Sequence, residues 1–213
     1  MFIDRLMNRV KELQNPTIMG LDPKLEYIPK SIREKNLQTY GNTLTAASAS
    51  ILEFNKKLID AVTGIVPVIK PQLAYYEMYG IEGLKAFLET VRYGRERGFI
   101  VVADAKRNDI GSTSQAYSAA FLGETALEDG KSEPVFDADA VTLNAYLGID
   151  GVGPMLEDCK RYGKGTFILV KTSNPSSGQL QDMLVQDGRA VYEVMADLVK
   201  EWGKDLIGEC GYS

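Results

Sequence analysis

The sequence predicts an α/β chain on the TIM (β/α)8-barrel plan, with about five β/α units visible in its 213 residues. Three observations predict it. Short apolar runs recur without alternating apolar and polar residues, as in parallel strands buried on both faces. Segments with helical spacing of apolar residues lie between them, and that strand–helix order implies right-handed crossovers. Polar residues able to do chemistry stand at the C-terminal ends of several runs, and a closed barrel gathers those ends at one mouth.

The elements follow in chain order. The opening MFIDRLMNRVKEL is amphipathic and carries acids, so it lacks the continuous apolar core of a signal peptide. TIMGLDP (17–23) reads as a first strand with Asp22 at its end. Ile51, Phe54, Leu58, Ile59 and Val62 share one helical face. VPVIKPQ (66–72) is a second strand ending near Lys70, followed by the helical set Leu84, Phe87, Leu88 and Val91. FIVVADAKRND (99–109) is the third strand, and Ser114 to Leu122 starts a helix before a Gly/Asp/Ser-rich loop at 123–137. DAVTLNAY (139–146) ends near Asn144, and TFILVKTSNP (166–175) ends near Lys171 and Ser173. Val191, Val194, Met195, Leu198 and Val199 form a last helical face. No repeat or linker divides the chain, so residues 1–213 read as a single domain. A doubly wound sheet is the alternative, but neither GxGxxG nor GxxxxGK[ST] occurs.

Composition narrows the chemistry. The net charge of −5 argues against a nucleic-acid partner, which requires dense basic surface. No stretch approaches the roughly 18 apolar residues of a membrane span, so a soluble, cytoplasmic protein is expected. The two cysteines, Cys159 and Cys210, have no metal-type spacing and suit a reducing compartment. There is no histidine, which removes Ser-His-Asp and Cys-His catalysis and every His-based metal site. Proton transfer is left to Lys, Asp, Glu, Tyr or Cys.

The densest chemical pattern is ADAKRNDIGST (103–113). Strand alternation places Asp104 and Lys106 on one face. Asp109 follows as the chain leaves the strand, and Lys70 ends the strand before, giving an array of lysines and aspartates around one small volume. A purely structural ion-pair network is the competing reading. Burying several charges is costly unless all are paired, and function is a common reason to keep them.

DAKRNDIGST resembles the signature of the orotidine 5'-phosphate decarboxylase family, Asp-x-Lys-x-x-Asp-Ile followed by Gly and Thr. GLDP (20–23), IKPQLAYYEMYG (69–80), VTLNAYLG (141–148) and KTSNP (171–175) resemble its longer bacterial, type 2 branch, in the right order along nearly the whole chain. The resemblance implies cofactor-free, metal-free decarboxylation of orotidine 5'-phosphate to UMP in pyrimidine synthesis. It makes Lys106 the proton donor to C6, sets Asp104 beside the substrate carboxylate, and has Lys70 touch the ribose and the charged array. Asp109 and Thr113 reach into a partner's site, which implies a homodimer. Asp22 holds a ribose hydroxyl and Ser173 reads the pyrimidine edge. Asn144 either orients the array or caps the turn after its strand.

Some features stand apart. Family members continue through three more strands carrying a Gly-rich phosphate loop and an arginine; neither occurs here, and on that pattern the chain reads as C-terminally incomplete. The alternatives in function are a Mg2+-dependent sugar-phosphate decarboxylase or hexulose-phosphate synthase with the same core, or an inactive barrel fragment. Lys171 is a lesser candidate for a Schiff-base lysine. Tyr75 and Tyr76 read as packing or rim residues, Arg107 as a solvated face, and Gln179 within 176–181 as part of a loop and helix start.

Overall fold

The computed structural model describes residues 1–213. Helix α1 (Phe2–Leu13) precedes strand β1 (Ile18–Leu21), and helices α2 (Lys30–Tyr40) and α3 (Leu44–Val62) follow it. Strand β2 (Val68–Pro71) leads to the short α4 (Ala74–Glu77) and to α5 (Gly80–Glu96). Strand β3 (Ile100–Arg107), helix α6 (Gly111–Phe121), and a small hairpin of β4 (Thr125–Ala126) and β5 (Ser132–Glu133) come next. Strand β6 (Ala140–Asn144), α7 (Ile149–Tyr162), β7 (Gly165–Leu169) and α8 (Val191–Trp202) complete the order.

The main sheet has five strands in the order β1-β2-β3-β6-β7, every neighbouring pair parallel. Spatial order therefore follows chain order throughout. A doubly wound sheet reverses direction at a switch point; this one does not, which is the winding of a (β/α) barrel.

The two faces of the sheet bury different sets of residues. Ile69, Val101, Ala103, Val141 and Leu143 belong to the main core, with helical residues such as Ile51, Ile59, Phe87, Val91, Val152 and Met155. Val68, Ile100, Val102 and Ala140 form a second cluster on the concave side, closed by Phe2 of α1. Helix α1 is thus a plug for the N-terminal end of the barrel. Arg5 fixes it by donating to Asp139 Oδ1 at 3.0 Å, while Asp139 Oδ2 accepts the Val101 N–H at 3.0 Å. Along the concave side the apolar floor gives way to polar side chains, Val68 to Lys70, Val102 to Asp104 and Ala140 to Thr142. Period-two alternation alone carries the chain from core to site.

Local features fit the elements they sit in. Thr43 caps α3, its hydroxyl accepting the Ala46 N–H at 3.2 Å. Between α3, α4 and α5, Asn55 donates to the Tyr76 hydroxyl at 2.8 Å and the Thr90 hydroxyl at 3.1 Å, all three buried. Tyr76 is a packing residue, as expected; burial raises its phenol pKa, opposed by the hydroxyl's partners Asn55 and Thr90. Burial likewise pushes the Cys159 thiol up to about 12, which makes it an inert core residue.

The structure departs from the sequence reading in several places. The segment 123–137 is not wholly loop, since it holds the β4–β5 hairpin. Helix α7, which no apolar pattern announced, contains Gly151, Gly153 and Pro154, all residues that weaken a helical signature. Arg107 is not a solvated face: it pairs with Glu77 and lies over the rings of Tyr117 and Phe121, at 5.3 and 5.6 Å. No helix is long and apolar enough to cross a membrane.

Candidate active site

Asp104 is the centre of the site. It stands near the C-terminal end of β3 with only 5% of its surface exposed. Lys106 Nζ lies 2.6 Å from its Oδ1 and Lys70 Nζ 2.6 Å from its Oδ2. Gln72 donates to Oδ2 at 2.9 Å and the Thr142 hydroxyl to Oδ1 at 2.9 Å. Burial alone would raise the Asp104 pKa. The ammonium groups of Lys106 and Lys70 and the Thr142 hydroxyl outweigh it, and the carboxyl is held below its ordinary value.

The two lysines are far less enclosed than the aspartate, with side chains 47% exposed for Lys106 and 31% for Lys70. One carboxylate between two ammonium groups leaves a net positive charge facing the mouth, which suits an anionic ligand. Lys106 reaches its place by an unusual backbone. Its φ is +47°, and the pairing of β3 with β6 shifts register between Ala103 and Arg107. The i, i+2 alternation expected to align Asp104 and Lys106 is therefore broken by a bulge, and the two meet by a turn of the chain instead. A non-glycine residue in this region costs about 1–3 kcal/mol and is held by its surroundings.

The other candidates stand around this cluster without touching it. Asp109, between β3 and α6, accepts the Ile110 N–H at 2.8 Å and forms no ion pair in the chain. Thr113 is exposed in the first turn of α6. Asp22 is exposed just after β1, and Ser173 is exposed beyond β7. Asn144 Oδ1 accepts the Tyr146 N–H at 3.1 Å, so it caps the turn after β6 rather than joining the array. Lys171 pairs with Asp182 and lies 5.3 Å from the Tyr192 ring centroid, away from Asp104. Gln72 and Thr142 were not singled out from sequence. Each shares strand parity with a residue that was, Gln72 with Lys70 and Thr142 with Asn144, and that parity was the available signal. No group of three or more His, Cys, Asp or Glu side chains is placed to hold a metal ion.

Strands wound in chain order, with a lysine–aspartate cluster at their C-terminal ends, define a (β/α)-barrel protein with its site at the barrel mouth. The family described as Orotidine 5'-phosphate decarboxylase / HUMPS matches residues 18–210, and the chain belongs to that family. A relative named orotidine 5'-phosphate decarboxylase from Caldicellulosiruptor saccharolyticus is 39% identical over 212 residues, covering 100% of this chain and 69% of its own. One from Rhodopirellula baltica is 40% identical over 211 residues, covering 99% of this chain and 67% of its own. The crystal structure of a putative orotidine-monophosphate-decarboxylase from Toxoplasma gondii superposes with a TM-score of 0.75 at 30% identity, covering 97% of this chain. That of a putative orotidine 5'-phosphate decarboxylase from Streptomyces avermitilis gives 0.73 at 33% identity, covering 94%. The chain spans 61% and 64% of the length of those solved chains.

Proposed function

We propose that the protein decarboxylates orotidine 5'-phosphate to UMP in pyrimidine nucleotide synthesis, without a cofactor, and that Lys106 delivers the proton to C6. The observation that carries this reading is the position of Lys106 Nζ, 2.6 Å from the buried carboxylate of Asp104, with Lys70 on the other oxygen.

The chemistry follows from charge. Loss of CO2 leaves an electron pair on C6 that no ring atom is well placed to delocalise. Fixed positive groups must stabilise it where it forms. The Lys106 ammonium does so and then transfers a proton to that carbon. Lys70 keeps Asp104 ionised beside it. The Asp104 carboxylate repels the substrate's own carboxylate; two such charges about 4 Å apart interact by roughly 4 kcal/mol at an effective dielectric of about 20. That repulsion disappears as neutral CO2 departs. It falls short of the roughly 8–23 kcal/mol by which enzymes lower barriers, so stabilisation of the carbanion and binding of the remote phosphate must supply the rest.

In this reading Asp22 holds a ribose hydroxyl, Ser173 reads the pyrimidine edge and Asn144 shapes the mouth beside the substrate. Asp109 and Thr113 complete the site of a second copy in a cytoplasmic homodimer. Their support is that both stand at the junction of β3 and α6, Asp109 half-buried and Thr113 exposed, and neither is engaged by a side chain of its own chain. Residues 1–213 act as one barrel domain.

The test is the loss of pyrimidine absorbance as orotidine 5'-phosphate is consumed. Turnover is expected to persist in EDTA, and Lys106→Ala is expected to nearly abolish it while the far-UV circular dichroism stays unchanged. Turnover retained in Lys106→Ala refutes the proton donor. Turnover lost in EDTA and restored by Mg2+ favours the metal-dependent reaction of a sibling in the family instead.

A further inference from the structure

We propose that Thr142 is a positioning residue for this reaction: its hydroxyl ties the backbone of Lys106 to the carboxylate of Asp104 and so fixes where the Lys106 ammonium stands. The inference rests on the decarboxylase reading above and adds to it a residue that the lysine–aspartate pattern does not contain.

Thr142 lies on β6 with only 8% of its surface exposed. Its Oγ1 donates to Asp104 Oδ1 at 2.9 Å and accepts the Lys106 N–H at 2.9 Å. The direction of both bonds is fixed by chemistry. An ionised carboxylate has no proton to give, and an amide N–H can only donate, so the single hydroxyl proton points at Asp104.

The backbone explains why this link is needed. Strands β3 and β6 pair at Val102 with Ala140 and Ala103 with Val141, then next at Arg107 with Leu143. Residues 104–106 thus bulge out of the ladder opposite Thr142, and Lys106 enters the left-handed region at φ +47°. In a regular ladder its N–H would meet a main-chain carbonyl of the neighbouring strand; here the hydroxyl is the acceptor. The result is a closed circuit: Asp104 Oδ1 to Thr142, Thr142 to the Lys106 amide, and Lys106 Nζ back to the same Oδ1 at 2.6 Å. A lysine side chain has several rotatable bonds and no geometric preference of its own, so the circuit supplies the placement that proton delivery to one carbon requires.

The experiment compares Thr142→Val, which keeps the branched shape and loses the hydroxyl, with Thr142→Ser, which keeps the hydroxyl. Steady-state kinetics on orotidine 5'-phosphate are expected to show kcat lowered about 10- to 100-fold in Thr142→Val, the scale of a misplacement near 1 Å, with KM changed far less. Thr142→Ser is expected to recover most of the rate. In parallel, 13C NMR of aspartate-labelled protein is expected to show the Asp104 carboxyl titrating at higher pH in Thr142→Val and returning toward wild type in Thr142→Ser. Should Thr142→Val lose its fold, Thr142→Ala carries the same comparison. A wild-type kcat together with an unmoved Asp104 titration in the hydroxyl-free variant overturns the proposal. So does a loss of kcat in Thr142→Ser as deep as in Thr142→Val, since that pattern reports packing. Wild-type protein that leaves orotidine 5'-phosphate unconsumed sinks the decarboxylase reading, and the NMR titration then decides by itself whether Thr142 governs Asp104.

Discussion

At the scale of single residues, the site is decided by which influence on Asp104 wins. Burial favours the neutral acid, while Lys106, Lys70 and Thr142 favour the anion, and the anion prevails. A carboxyl whose folded pKa is lowered adds stability that is complete above the unfolded value of about 3.9 and is lost as pH falls through the folded one. Asp104→Asn removes the counter-charge shared by two ammonium groups. Breaking a fully buried pair costs about 3–5 kcal/mol, but water reaches both lysines, so a cost of about 1–2 kcal/mol at pH 7 is expected by urea denaturation. The gap between wild type and variant should close as pH drops below 4, and a gap that stays constant with pH refutes this account. Lys70, Asp104 and Lys106 were legible in the sequence because charged residues closing apolar runs are rare enough to read. Gln72 and Thr142 were not, because an uncharged polar side chain at a strand end does not announce itself, and each gains its role from a neighbouring strand, Gln72 by pairing beside Asp104 and Thr142 from β6. Arg107 was misread for a related reason: its partners Glu77, Tyr117 and Phe121 come from other elements, and no local pattern announces them.

At the scale of elements, glycine positions separate close contact from mere flexibility. A Cβ at Gly83, in the first turn of α5, would lie 1.9 Å from the Tyr76 carbonyl oxygen, a backbone atom that cannot step aside. Gly83→Ala is expected to destabilise by about 1–3 kcal/mol. At Gly153 in α7 the nearest atom would be Ile149 Cδ1 at 4.0 Å, and no left-handed φ is required. Gly153→Ala is expected to stabilise by about 0.4–1 kcal/mol, chiefly by restricting the unfolded chain. Thermal and urea unfolding of the pair checks both signs, and equal shifts would show that contact geometry does not govern them. The same helix marks the limit of sequence reading at this scale. Gly151 admits α7 against the Asp109 carbonyl, which a Cβ would approach to 2.7 Å. The residue that allows the packing is thus one that hides the helix from a periodicity search. The strands were legible because parallel strands buried on both faces leave uninterrupted apolar runs.

At the scale of the whole molecule, the barrel was readable because residues able to do chemistry close several apolar runs, and the strand order of the sheet agrees with it. The plug formed by α1 was not, since its anchor pairs Arg5 with Asp139, 134 residues away. The mouth raises the last question, whether a second copy completes the site. Asp109 sits at the junction of β3 and α6 with no cation of its own chain, a few residues from the two ammonium groups of Lys70 and Lys106. A side chain placed this way either idles, serves the site of its own chain or serves another subunit; the activity of Asp109→Ala alone tests the first, and a mixing experiment separates the other two. Lys106→Ala and Asp109→Ala proteins are each expected to be nearly inactive alone. If Asp109 acts across a two-fold interface, unfolding and refolding them together forms mixed dimers in which one of the two sites has both residues intact. Half of the dimers being mixed, activity should recover to about a quarter of wild type, as the symmetry of a shared interface requires. If Asp109 acts within its own chain, every site in the mixture lacks one residue and no activity returns.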